Sequence, residues 1–134
     1  MKTIIVGALG FLVPMLILDF FWLTTMVKSF YGKYIGDLLA PNPNFAPAIV
    51  FYVLYCVGAL VFVVFPAISG NFSFGKVFLF GALFGLVAYG TYDLTNQATL
   101  KTWSTVVTVV DLAWGAFITG TASTIALYFV KIWG

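Results

Sequence analysis

Residues 74–97 read FGKVFLFGALFGLVAYGTYDLTNQ, an apolar run that ends in a carboxylate, two amides and two tyrosines. About 20 apolar residues are enough for an α-helix to cross a bilayer, so residues 74–94 are predicted to form a transmembrane helix. Asp93 would lie close to the end of this helix, in surroundings that rarely contain an ionisable group. The run therefore predicts both a membrane fold and a candidate functional position.

The sequence contains three more apolar segments of similar length. Only 7% of its 134 residues are charged and 63% are hydrophobic, whereas about a quarter of the residues in a soluble domain are charged. We therefore predict an all-α fold, a polytopic bundle of four transmembrane helices that forms a single domain within the lipid bilayer. The predicted spans cover about residues 3–27, 45–68, 74–94 and 104–131.

The connections between the spans differ in length and character. Residues 28–44 form the longest, and their alternating lysines and tyrosines favour a short interfacial helix between the first and second spans. Pro41 and Pro43 would end that helix. The second span contains no charged residue, and we expect it to contribute least to any chemistry.

The predicted topology places both termini on the same side of the membrane. The six lysines divide equally between the two sides, and the acidic residues of the loops favour cytoplasmic termini only slightly. Small residues form one stripe at Gly81 and Gly85 and a second at Ala116, Gly120 and Thr124. Such stripes let helices approach closely, within one chain or in a homodimer.

Three of the four aspartates lie inside apolar spans. Asp19 follows the middle of the first span, Asp93 lies near the end of the third, and Asp111 lies in the first third of the fourth. The first and third spans run in one direction and the fourth runs back, so all three acids are expected in the membrane half away from the termini. An aspartate at the centre of a membrane helix costs about 2.5–3.5 kcal/mol on insertion scales, so these acids need either compensation or a use.

Two of these acids share a short motif with tryptophan. Asp19 precedes Trp22 by three residues, and Asp111 precedes Trp114 by three, a spacing that places acid and indole on one helix face. Because the two helices run in opposite directions, the acid of each should lie level with the indole of the other. The motif predicts hydrogen bonds, direct or through one water, from Trp114 to Asp19 and from Trp22 to Asp111.

These patterns favour a polar pocket that binds or translocates a proton, a cation or a small polar ligand. Its candidate residues are Asp19, Asp93, Asp111, Trp22, Trp114, Asn96, Tyr89, Tyr92 and Thr108. Two alternatives remain open. The protein could be a membrane enzyme or an accessory subunit in lipid modification, or the acids could only join helices as hydrogen-bond acceptors in a structural membrane partner.

The residue inventory narrows the chemistry further. The chain has no His, Arg or Glu and a single cysteine, Cys56, so it offers no Ser-His or Cys-His pair and no thiolate metal site. A net charge of +2 without a basic run gives no reason to expect nucleic acid. No metal or cofactor is predicted, although carboxylates alone would suit a hard cation. A pair of aspartates can act as acid and base, but the balance favours a protein that is not an enzyme.

The stretches LDFFWL (18–23), YDLTNQATL (92–100) and VDLAWG (110–115) occur in this order. In this combination the chain resembles a bacterial family of membrane proteins called domain of unknown function 2177. The resemblance covers nearly the whole chain and implies a multi-pass protein of the bacterial inner membrane. Members of the family tend to be encoded beside lipid-modifying enzymes, which implies an accessory role in lipid metabolism as one expectation.

Overall fold

A computed structural model describes residues 1–134, and it is helical throughout apart from the termini and three short connections. Four helices are long and apolar enough to cross a membrane, which confirms the predicted all-α bundle. We name them α1 (Lys2–Leu38), α2 (Phe45–Ser69), α3 (Phe74–Thr99) and α4 (Thr105–Trp133).

The first helix is longer than the sequence indicates. Its α-helical part, Lys2–Met26, continues through a π turn at Val27–Tyr31 and ends in a short helical stretch at Leu38. The predicted interfacial helix is therefore the continuation of α1 and not a separate element. The reason is that no proline lies between Met26 and Leu39. The backbone becomes extended only at Leu39, just before the two prolines.

Helix α3 also extends beyond its predicted end, from residue 94 to Thr99. The amide of Gln97 donates a hydrogen bond to the Thr105 hydroxyl over 2.9 Å, which ties the end of α3 to the start of α4. Asp93 consequently lies well inside the helix, and its side chain has no exposed surface.

Helix α4 is the central element of the bundle. It packs along α3 and α1, and buried side chains occur along nearly its whole length. Residues of α1, α2 and α4 form the main apolar core, which fills the middle of the bundle and the half nearer the termini. The opposite half holds the buried acids.

Glycines set the distance between α3 and α4. A methyl group on Gly81 would lie 3.0 Å from the Cα atom of Gly120, and one on Gly85 would overlap the carbonyl oxygen of Gly115. The predicted stripe at Gly81 and Gly85 therefore packs inside the chain. On α4 the facing stripe contains Gly115, Gly120 and Ser123, whereas the predicted Ala116 and Thr124 are only half-buried.

This packing predicts that Gly85→Ala separates α3 from α4, because the added methyl group meets backbone that cannot rotate away. We expect a clear fall in the unfolding temperature of the protein in detergent micelles. Gly75→Ala in the same helix is the matched control. The nearest atom that the added methyl group would meet there is the hydroxyl oxygen of Ser73, at 4.0 Å. Equal unfolding temperatures for the two variants would contradict the close packing.

Candidate functional site

A cavity of about 370 Å³ lies among the four helices in the half of the bundle away from the termini. We call it the acidic cavity, because Asp19, Asp93 and Asp111 all line it. The rest of its wall is mostly aromatic, with Leu23 and Ala88 as its aliphatic members. The aromatic side chains are Trp22, Tyr31, Phe51, Tyr52, Tyr89, Tyr92 and Trp114.

Asp93 and Asp111 lie at a common depth because of their positions in α3 and α4. Asp93 lies six residues before the end of α3 and Asp111 six residues after the start of α4. At about 1.5 Å per residue, each is roughly 9 Å from the connection that joins the two helices. Two antiparallel neighbours thus bring their carboxyl groups together.

The carboxyl group of Asp19 has a partner from α2. The hydroxyl of Tyr52 donates a hydrogen bond to Oδ2 of Asp19, whose side chain is 8% exposed. Helix α2 carries no charge, so the pattern of acids does not point to Tyr52. The helix nevertheless supplies both this donor and Phe51 to the cavity wall.

Asp111 is held by a chain of two hydrogen bonds that begins at Trp22. The indole Nε1 of Trp22 donates to the hydroxyl of Tyr31 over 3.0 Å, and that hydroxyl donates to Oδ1 of Asp111. The predicted contact between Trp22 and Asp111 therefore runs through a tyrosine hydroxyl, where a direct bond or a water had been expected.

The π turn in α1 makes this chain of bonds geometrically feasible. In a regular α-helix, nine residues correspond to about two and a half turns, so Tyr31 would lie on the side opposite Trp22. A π turn holds more residues per turn and shifts the register of everything that follows. The turn at Val27–Tyr31 lies between these residues and brings Tyr31 back toward the cavity.

Asp93 differs from the other two acids. Its side chain is completely buried, and neither carboxylate oxygen accepts a hydrogen bond from any donor. Its carboxyl group lines the same cavity as that of Asp111, at the same distance from the connection between α3 and α4. Since a carboxylate cannot donate, a bond between them forms only when one of the two carries a proton.

The two indoles of the D-x-x-W motifs stack on each other. The rings of Trp22 and Trp114 lie 4.2 Å apart at an angle of 11°. The buried Nε1 of Trp114 has no hydrogen-bond partner, so the predicted bond from Trp114 to Asp19 is wrong. Tyr52 occupies that acceptor instead, and stacking fixes the indole in place.

The sequence of the chain matches a family described as a predicted membrane protein, DUF2177, over residues 4–128. The chain belongs to this family. No curated protein and no solved structure matches the chain significantly. Membership agrees with the four apolar helices, so this DUF2177 protein is a multi-pass membrane protein.

In this DUF2177 protein, two predicted site residues lie outside the wall of the acidic cavity. Thr108 is buried but accepts a hydrogen bond from Nε1 of Trp103 over 3.0 Å, which serves the packing at the start of α4. Asn96 lies almost one helical turn beyond Asp93 and does not line the cavity. The other predicted residues, Asp19, Asp93, Asp111, Trp22, Trp114, Tyr89 and Tyr92, all line it.

The carboxyl groups are distributed around the cavity of this DUF2177 protein. No group of three acids comes close enough to hold one metal ion in common. Instead, two of the carboxyl groups accept hydrogen bonds from tyrosine hydroxyls, and the third has no hydrogen-bond donor. Chemically, such a site can retain a proton or accept hydrogen bonds from a ligand.

The hydrogen bond between Tyr52 and Asp19 leads to a prediction about stability. Tyr52→Phe leaves a nearly buried carboxyl group without its donor, and Asp19→Leu leaves the tyrosine hydroxyl unpaired. We expect the two changes to be non-additive, with a coupling energy of about 0.5–2 kcal/mol. Unfolding of the single and double variants in detergent micelles measures this coupling.

Tyr128→Phe is the control for this cycle, because Tyr128 is half exposed and lies outside the cavity wall. It should change the free energy of unfolding little. Additive effects of Tyr52→Phe and Asp19→Leu would show that their bond contributes nothing to stability.

Proposed function

We propose that the acidic cavity is a binding site for a proton or for a small cationic or polar ligand. On this proposal the protein is a binding or carrier protein of the bacterial inner membrane. The observation that carries the proposal is the state of Asp93, a fully buried carboxyl group that lines the cavity and has no hydrogen-bond donor.

A buried carboxyl group without a hydrogen-bond donor is energetically unfavourable. Leaving a buried polar group without a partner costs about 1–3 kcal/mol, and more when the group is charged. Tyrosine hydroxyls remove this cost at Asp19 and Asp111. At Asp93 the remaining ways to remove it are a proton shared with Asp111 or a ligand that donates hydrogen bonds.

Binding is the part of the proposal that the observed arrangement supports best. The cavity occupies one half of the bundle, and in the other half tightly packed apolar side chains such as Phe11, Met15 and Ala126 separate it from the terminal side. Translocation would require this packing to open. A carrier role therefore needs a second conformation in addition to the one described.

A structural role is a second candidate, and a specific observation favours it. Asp19 and Asp111 each join two helices through a tyrosine hydroxyl, as expected of acids that act as packing contacts. Asp93 does not fit this role, because it bonds to no donor on another helix. For the role in lipid modification, the structure adds only the apolar part of the cavity wall, which suits an acyl or aromatic group.

The proposal predicts selective labelling by a hydrophobic carbodiimide, which reacts with protonated carboxyl groups in apolar surroundings. We expect dicyclohexylcarbodiimide to modify Asp93 at neutral pH, because a buried carboxyl group without a hydrogen-bond donor favours its neutral, protonated form. Peptide mass spectrometry of the protein in lipid nanodiscs locates the modified residue. Asp93→Asn should abolish the labelling.

Asp37 is the internal control, since it is an exposed acid outside the acidic cavity. It should resist the hydrophobic reagent and react with a water-soluble carbodiimide. An Asp93 that stays unmodified, or labelling that is equal at Asp37 and Asp93, would contradict the proposal.

A second prediction separates the binding role from the structural role. Asp93→Leu replaces an unpaired carboxyl group by an apolar side chain of similar size. If Asp93 is retained for binding, the unfolding temperature should stay the same or rise, while carbodiimide labelling is lost. A clear fall in unfolding temperature would instead identify Asp93 as a packing residue.

A further inference from the structure

We infer that the acidic cavity takes a primary organic ammonium ion, whose N–H groups donate to Asp93 and whose apolar body lies against the aromatic wall. This inference rests on the proposed function and names the class of its ligand. It is carried by the unpaired oxygens of Asp93, the charge of the cavity and the composition of its wall.

The charge of the cavity favours a cation over a neutral donor. Three acids line it, and no lysine is among the lining residues. Two of these acids already accept tyrosine hydroxyls, so Asp93 is the one whose two oxygens remain for a ligand. A bound ammonium group takes the place of the proton on Asp93, compensates the negative charge of the carboxylate and supplies several N–H donors on one nitrogen.

The aromatic wall favours an organic cation over an inorganic one. Tryptophan and tyrosine rings attract cations through their π electrons, and the attraction is strongest where water is excluded. The stacked pair of Trp22 and Trp114 and the rings of Tyr89 and Tyr92 belong to the same wall as Asp93. A divalent metal ion would need several oxygens at one point, and the three carboxyl groups do not converge in that way.

The unpaired oxygens of Asp93 favour a primary ammonium ion over a quaternary one. A quaternary ammonium carries the charge and interacts with the rings, but it has no N–H and leaves both oxygens of Asp93 without a donor. A primary ammonium group compensates the charge of the cavity and also donates hydrogen bonds to the oxygens of Asp93. At about 370 Å³ the cavity is large enough for such a group attached to a single aromatic ring.

Three probes with the same ring test the inference: benzylammonium, benzyltrimethylammonium and benzyl alcohol. The full chain is placed in nanodiscs of zwitterionic lipid, and binding is followed by titration calorimetry and by tryptophan fluorescence, with empty nanodiscs as blanks. We expect benzylammonium to bind about tenfold more tightly than either other probe, because only it combines a charge with N–H donors.

Two variants locate the site. Asp93→Asn should weaken benzylammonium binding about tenfold or more and should leave the weak binding of benzyl alcohol unchanged. Asp37→Asn removes the same charge at an exposed position outside the cavity and should leave all three affinities unchanged. Thermal unfolding of both variants checks that the bundle remains folded.

The outcomes separate this inference from the proposed function. Equal or tighter binding of benzyltrimethylammonium, or equal losses in Asp93→Asn and Asp37→Asn, would overturn the requirement for N–H donors at Asp93. If none of the probes binds while carbodiimide still modifies Asp93, the ammonium ligand is wrong and the proton site stands. If Asp93 is also unmodified, both proposals fail.

Discussion

A carboxyl group in hydrocarbon needs a hydrogen-bond donor, and this requirement shapes the half of the bundle that contains the acids. The chain has no Arg or His, and its lysines do not reach the acidic cavity. Tyrosine hydroxyls supply the donors instead, from α2 for Asp19 and from the end of α1 for Asp111. A neutral donor compensates a buried acid without adding a second charge to the interior of the bundle.

The arrangement of the helices determines which buried acids receive a hydrogen-bond donor. Glycines allow α3 and α4 to lie close together, and Asp93 and Asp111 line the same cavity from these two helices. The remaining helices then surround the pair with aromatic side chains. Because Asp93 receives no donor from them, the packing leaves one acceptor unsatisfied inside a protein that otherwise satisfies its buried acids.

The four spans and the common depth of the acids could be predicted from the sequence, because both depend on helix length and direction alone. The partners of the acids could not. Tyr52 lies near the start of α2, level with Asp19, so counting the depth of the tyrosines as well as the acids would have found it. Helix periodicity gives the face of a residue and not the atom that it contacts, so the surroundings of the Trp114 indole do not follow from the sequence. A π turn has no recognisable sequence signal, so the interfacial pattern around Tyr31 does not reveal that its hydroxyl reaches Asp111.

That π turn makes the end of α1 sensitive to its own length. A surface loop absorbs an inserted or deleted residue by changing its path, whereas a helix transmits the change as a rotation of about 100° per residue. Any such change between Trp22 and Tyr31 would turn the tyrosine out of the cavity and leave Asp111 without its donor. The number of residues in this stretch is thus as much a part of the site as the identity of its side chains.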